Sequence, residues 1–145
     1  MSLSRGATRV LFGGVLLAGL AITGCSTPTA DTVNAQWSLI DSTLVTPAST
    51  KLELGVMRIA CSSGNTGEVT GTQVDYSATT ISIGIVVEPL EDKPQSCQSN
   101  ETVPFTLELE EPVGQRTLID ASCAREDQPA DDSQGCAEHG LRWQP

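Results

Sequence analysis

A chain of 145 residues accommodates one domain, and no segment repeats at the fixed period of a solenoid or propeller. Eight Lys and Arg against 18 Asp and Glu leave a net charge of -10, which disfavours anionic lipid faces and sets nucleic acid aside as a partner. Aromatic residues are only 3%, so the core must come from Val, Ile and Leu, whose β-branched members favour strands.

The chain opens with Arg5 and Arg9, after which Val10 to Gly24 carries no charge and one polar side chain, Thr23. A basic start, a short apolar run and a small residue ahead of Cys25 are the order of a secretory signal. The rival is a membrane-spanning helix, but fifteen residues rise only ~22 Å, short of the ~30 Å hydrocarbon core. The residues Ile22-Thr23-Gly24-Cys25, preceded by Leu20, resemble the lipobox of bacterial lipoprotein signal peptides, with Ile22 standing where leucine is commonest. The resemblance implies that the Cys25 thiol is joined to a diacylglyceryl group, that the chain is cut just before it, and that the new amino terminus is acylated, with palmitate a typical chain.

Residues 1–24 are then a lipoprotein signal peptide and Cys25 the lipidation site, anchoring the protein in the cell membrane at its extracytoplasmic face. One acyl chain holds a protein to a bilayer only marginally, at about 0.8 kcal/mol per buried methylene, whereas two or three make a lasting anchor. Cleavage would remove two arginines and no acid, leaving six basic against eighteen acidic residues, a net charge of -12.

From Ser26 to Gln36 the sequence is polar, lacks periodicity and contains Pro28, so residues 25–36 read as the lipidated cysteine and a flexible tether. Eleven flexible residues reach roughly 17 to 20 Å, enough to lift a domain off the headgroups. The domain itself is expected over 37–145. Its first strand is faint, Trp37 to Val45, and Thr46 to Thr50 reads as a loop. Leu52, Leu54 and Val56 begin a clear period-two run, which then shifts phase to Met57, Ile59 and Cys61 and predicts a bulge. Thr70 to Ser77 is fainter. Ile81, Ile83, Ile85 and Val87 form one face of a half-buried strand, and Val103, Phe105, Leu107 and Leu109 repeat the pattern with Glu108 and Glu110 opposite. Arg116 to Ser122 and a short Leu141 to Trp143 complete about seven strands. No stretch after residue 37 has helical periodicity over three turns. The expectation is an all-β, disulfide-stapled β-sandwich of immunoglobulin-like kind, with Trp37 and Trp143 covering the edges of its core.

Five cysteines leave one thiol over in an exported protein. Assigning Cys25 to lipid leaves Cys61, Cys97, Cys123 and Cys136, an even number in an oxidising compartment. Of three connectivities, Cys61 with Cys97 and Cys123 with Cys136 is preferred, because Ala124 to Gly135 has nothing apolar to hold it; crossed pairing of 61 with 123 and 97 with 136 is the alternative. Between the last strands, Glu111-Pro112-Val113-Gly114 supplies the fixed and positive φ of a tight reversal. The run Glu111 to Asp120 resembles a hairpin of small exported β-domains of bacterial lipoproteins, a likeness that covers roughly Leu52 to Trp143 and implies a fold but no activity. Arg116 would pair with Asp120 or Glu111.

Chemistry is sparse. His139 is the only histidine, and no G-x-S-x-G, H-E-x-x-H, S-x-x-K or P-loop is present. Cys136 and His139 lack the paired hooks of a zinc site, and the acidic pairs Glu91-Asp92 and Asp131-Asp132 match no EF-hand. The reading is therefore a non-catalytic binding or interaction module of the bacterial envelope, with no catalytic residue, metal or cofactor and with a lipid bilayer and an envelope protein as partners. The alternatives are a carrier of a small ligand or cation, and a hydrolase using His139.

Overall fold

The computed structural model describes residues 33–91, 93–123 and 136–145, so Cys25, the signal peptide and most of the tether lie outside the described residues. The described residues are all-β, with seven strands and two disulfides among them. The strands are β1 (Ala35–Leu39), β2 (Lys51–Arg58), β3 (Val69–Tyr76), β4 (Thr80–Val87), β5 (Val103–Glu108), β6 (Thr117–Asp120) and β7 (Leu141–Trp143). Short 3-10 turns at Ser42–Leu44, Ala121–Cys123 and Ala137–Gly140 are the helical elements among the described residues, and no helix there is long and apolar enough to cross a membrane.

The strands hydrogen-bond as one mixed sheet in the order β5-β2-β1-β4-β6-β7, with β3 on β4. Within it β5, β2 and β1 form a continuous antiparallel group. The remaining strands gather around β4, which pairs antiparallel with β3 and parallel with β6. The two groups meet at a single residue pair, Ala35 opposite Ile85.

Periodicity explains the core. Ile81, Ile83, Ile85 and Val87 are all within 1% of full burial, and Leu52, Leu54 and Val56 face them from β2. Leu107 and Leu109 are buried while Val103 and Phe105 are half-buried against the same cluster. Trp37 is also inside it at 2% exposure, so it fills the core where the sequence placed it at an edge; Trp143 is half-buried.

Three local expectations differ from the structure. β1 starts at Ala35, two residues before Trp37, and ends at Leu39, because Asp41 accepts hydrogen bonds from the Thr43 N–H and hydroxyl and turns the chain into the Ser42–Leu44 helix. The phase of β2 does not slip: Arg58 continues the inward series of Leu52, Leu54 and Val56, and Ile59 is 41% exposed. The sheet's register shifts lie instead in β3, between Val69 and Gly71, and in β6, between Leu118 and Ile119.

Finally, Glu111 to Gly114 does not join a hairpin, since β5 pairs with β2 and β6 with β4. Gly114 does take a positive φ of 65°, but Val113 is fully buried and its N–H and that of Gly114 donate to Ser49 and Pro47 carbonyls. The turn thus docks on the 46–50 loop and redirects the chain into a parallel crossover. Arg116 takes Glu111 as its partner at 2.8 Å.

Candidate functional site

At the end of β2 the inward phase places a guanidinium where an apolar side chain would be expected. Arg58 is only 4% exposed. Its Nε donates to the Thr66 carbonyl at 3.1 Å and its Nη2 to the Glu88 carbonyl at 2.6 Å, while Thr66 Oγ1 accepts from its backbone N–H. These contacts tie the β2–β3 loop to the start of the β4–β5 loop. No carboxylate among the described residues forms an ion pair with it.

The two loops are joined at several further points. Ser62 to Asn65 closes a turn through Asn65 N–H to Ser62 C=O at 3.1 Å, with φ of 57° at Ser63 and 91° at Gly64. Positive φ at both central positions is the mirror-image turn that glycine favours. From this turn the Ser63 hydroxyl donates to Gln95 Oε1 and accepts from the Ser96 N–H, and Gln98 Nε2 donates to the Ser63 carbonyl. Asn100 Nδ2 donates to the carbonyls of Arg58 and Ala60, and its Oδ1 accepts from the buried Ser62 hydroxyl. Buried loop polar groups must be met in this way, because the loops have little apolar surface to hold them.

The Cys61–Cys97 disulfide closes this assembly, linking the loops over 36 residues. A polar groove of about 610 Å³ is lined by Arg58, Ser62, Ser63, Asn65 and Gln95 from the stapled loops and by Glu88, Leu90, Glu91 and Lys93. Lys93 pairs with Glu91, whose carboxyl is held below the ordinary range first by that hydrogen bond and then by the ammonium charge. A smaller groove of about 450 Å³ runs along Gln36, Met57, Arg58, Cys61, Cys97 and Gln98.

The remaining residues singled out by sequence fall elsewhere. Cys123 and Cys136 form the second disulfide, so both pairs are those preferred on loop grounds. His139 is exposed on the Ala137–Gly140 turn with φ of 57°, and no described residue hydrogen-bonds its ring. Because Cys136 is in the disulfide, it is not a ligand beside His139. Among the described residues no three His, Cys, Asp or Glu side chains converge as metal ligands. Asp131 and Asp132 lie outside the described residues, as does Asp92.

In the sequence Met57, Ile59 and Cys61 read as an apolar phase, which hides the inward position of Arg58. The signal for it was present: the alternation Leu52, Leu54, Val56 extends to residue 58 without interruption. Compared with protein-family models, with curated proteins and with solved structures, the chain matches none.

Proposed function

We propose that this protein is a membrane-anchored bacterial lipoprotein on the extracytoplasmic face, its folded domain a non-catalytic binding or interaction module of the cell envelope. The observation that carries this reading is the distribution of sulfur. Two disulfides use Cys61, Cys97, Cys123 and Cys136, which favours an oxidising, exported location and leaves Cys25 as the odd cysteine, at the end of an apolar run. The strongly acidic domain would be carried above the bilayer by the tether, its stapled loops free to meet a partner.

Mass spectrometry of the native chain tests the anchoring. An amino-terminal peptide beginning at Cys25 with two or three acyl chains is expected; a peptide that begins elsewhere, or carries an unmodified thiol there, overturns it. Crosslinking from intact cells then identifies the envelope protein that the domain meets. The second reading, a small-ligand carrier, is favoured by one particular feature: the polar groove built around Arg58.

A further inference from the structure

We propose that the groove beside the Cys61–Cys97 staple is a binding site for a small polar ligand bearing one carboxylate, seated on Arg58. This deepens the binding-module reading and rests on it.

The first step is the state of the guanidinium. Two of its nitrogens donate to backbone carbonyls, which satisfy hydrogen bonds but do not neutralise charge. No described residue accepts from Nη1. Yet no side-chain nitrogen or oxygen that is sealed from solvent lacks a partner, so Nη1 must be the atom that keeps contact with water. Arg58 lines both grooves, but its Nη2 bonds the carbonyl of Glu88, which lines only the larger one, and this directs the charged head there. A cation that is 4% exposed and has no carboxylate partner among the described residues is costly to bury, and an anion bound there would relieve that cost.

The neighbouring groups define the ligand. Asn65 uses its Oδ1 on the Gly67 N–H, and Gln95 uses its Oε1 on the Ser63 hydroxyl. Each therefore keeps its amide NH2 unused among the described residues, and both residues line the groove together with Arg58. Carboxylate oxygens accept from such donors, and guanidinium-to-carboxylate hydrogen bonds are among the stronger ones.

The groove is also lined by Glu88, whose carbonyl takes Arg58 Nη2, and by Glu91, to which Lys93 is already paired. Two acids lining the groove of a chain of net charge -10 disfavour a doubly charged phosphate. They suit a ligand whose other end presents donors such as hydroxyls or amide N–H groups, because carboxylates only accept. The volume of about 610 Å³ falls in the range of small-molecule sites. Two sources share this chemistry: the free end of a peptide, and a sugar acid.

The test is calorimetric titration of the full chain, purified in detergent, with N-acetylglycine and with glucuronic acid. N-acetylglycinamide and glucose are the uncharged counterparts. At least one acid is expected to bind with a dissociation constant of about 1 mM, and its counterpart at least tenfold more weakly. The tighter acid identifies the source. Arg58→Lys should weaken binding about tenfold, since a point charge lacks the fork of donors. Because Arg58 is also structural, Leu90→Asp serves as the second variant: it adds a carboxylate at an exposed position lining the groove and should weaken acid binding severalfold with an unchanged melting temperature.

The site is overturned if neither acid gives heat at about 100 mM, roughly a hundred times the expected constant. It is equally overturned if amide and acid bind alike, or if a folded Leu90→Asp chain binds like the parent. Failure here is separable from failure of the anchoring: an acylated Cys25 on a chain that binds no acid refutes only the site, and an unmodified Cys25 on a chain that binds one refutes only the anchor.

Discussion

Asp120 is fully buried, and the reason it can be is that three donors converge on its carboxylate. The Trp37 N–H and Arg142 Nη2 reach Oδ2 at 3.0 and 2.8 Å, and the Ser122 N–H reaches Oδ1 at 3.0 Å. Arg142 in turn lies over the Trp37 ring at 5.8 Å and donates from Nε to the Trp37 carbonyl. Removing Arg142 leaves the fully buried Asp120 carboxylate uncompensated, and removing the carboxylate strips the Trp37 and Ser122 N–H groups of their acceptor, so Arg142→Ala and Asp120→Ala should each lower stability by about 3–5 kcal/mol in urea unfolding. A loss below about 1 kcal/mol in either would mean that the pair is exposed in solution. Gly140 makes a second, steric prediction. Its φ is 80°, and an added Cβ would sit 2.7 Å from Cys123 Cβ and 2.9 Å from the Asp120 carbonyl. Gly140→Ala should cost about 2 kcal/mol or more, because backbone and a disulfide cannot yield as a flexible side chain can. Neither role was legible in the sequence: Asp120 has Arg116 four residues away, and nothing local says that its partner is the distant Arg142.

Between elements, the weak point is the seam where β1 leaves β4 after the single pair Ala35–Ile85. Two strands that part would strand their N–H and C=O groups. Side chains substitute for the missing ladder on both sides. Asn34 donates from Nδ2 to the Val87 carbonyl at 3.1 Å and accepts from the Val87 N–H at 2.8 Å, as a strand residue's backbone would. On the other side the Trp37 indole N–H takes the Ile83 carbonyl at 2.9 Å, while Asp120 and Arg142 meet Trp37's own backbone. Asn34→Ala should therefore cost about 1–3 kcal/mol and speed exchange of the Val87 amide hydrogen before that of Ile83. Within β4, Ile83→Val should cost about 0.5–1.5 kcal/mol and Ile83→Ala about 2–5, since the side chain is fully buried in the common core. Alternation made β4 and β5 visible as strands. It carried no information on their partners, which is why a turn at Glu111 to Gly114 looked like a hairpin and is a crossover instead.

Across the whole molecule, two disulfides staple the chain, Cys61 to Cys97 and Cys123 to Cys136. In the chain-entropy account the bridge over 36 residues contributes slightly under 4 kcal/mol, and the one over 13 residues about 3. Their accessibility differs: Cys61 and Cys97 are both exposed, whereas Cys136 is buried and Cys123 half-buried. Thiol–disulfide exchange depends on access to sulfur. Mild reduction of the folded protein followed by alkylation and peptide mapping should thus label Cys61 and Cys97 well before Cys123 and Cys136; simultaneous labelling would mean that the second bridge opens to solvent. Loss of the first bridge should also loosen the wall of the Arg58 groove, because both its loops are tied at that point.

The sequence by itself determined the all-β class, the inward faces of β2, β4 and β5, and a count of cysteines that pairs once Cys25 is set apart. These are consequences of residue type, of alternation at period two and of parity, all of which are local or additive. Only the tertiary structure decided the parallel β4–β6 pair, the burial of Arg58 and Asp120, and the joining of two loops into a groove. Each of these depends on which distant backbone group or charge arrives beside a residue, and that is set by how the strands pack together.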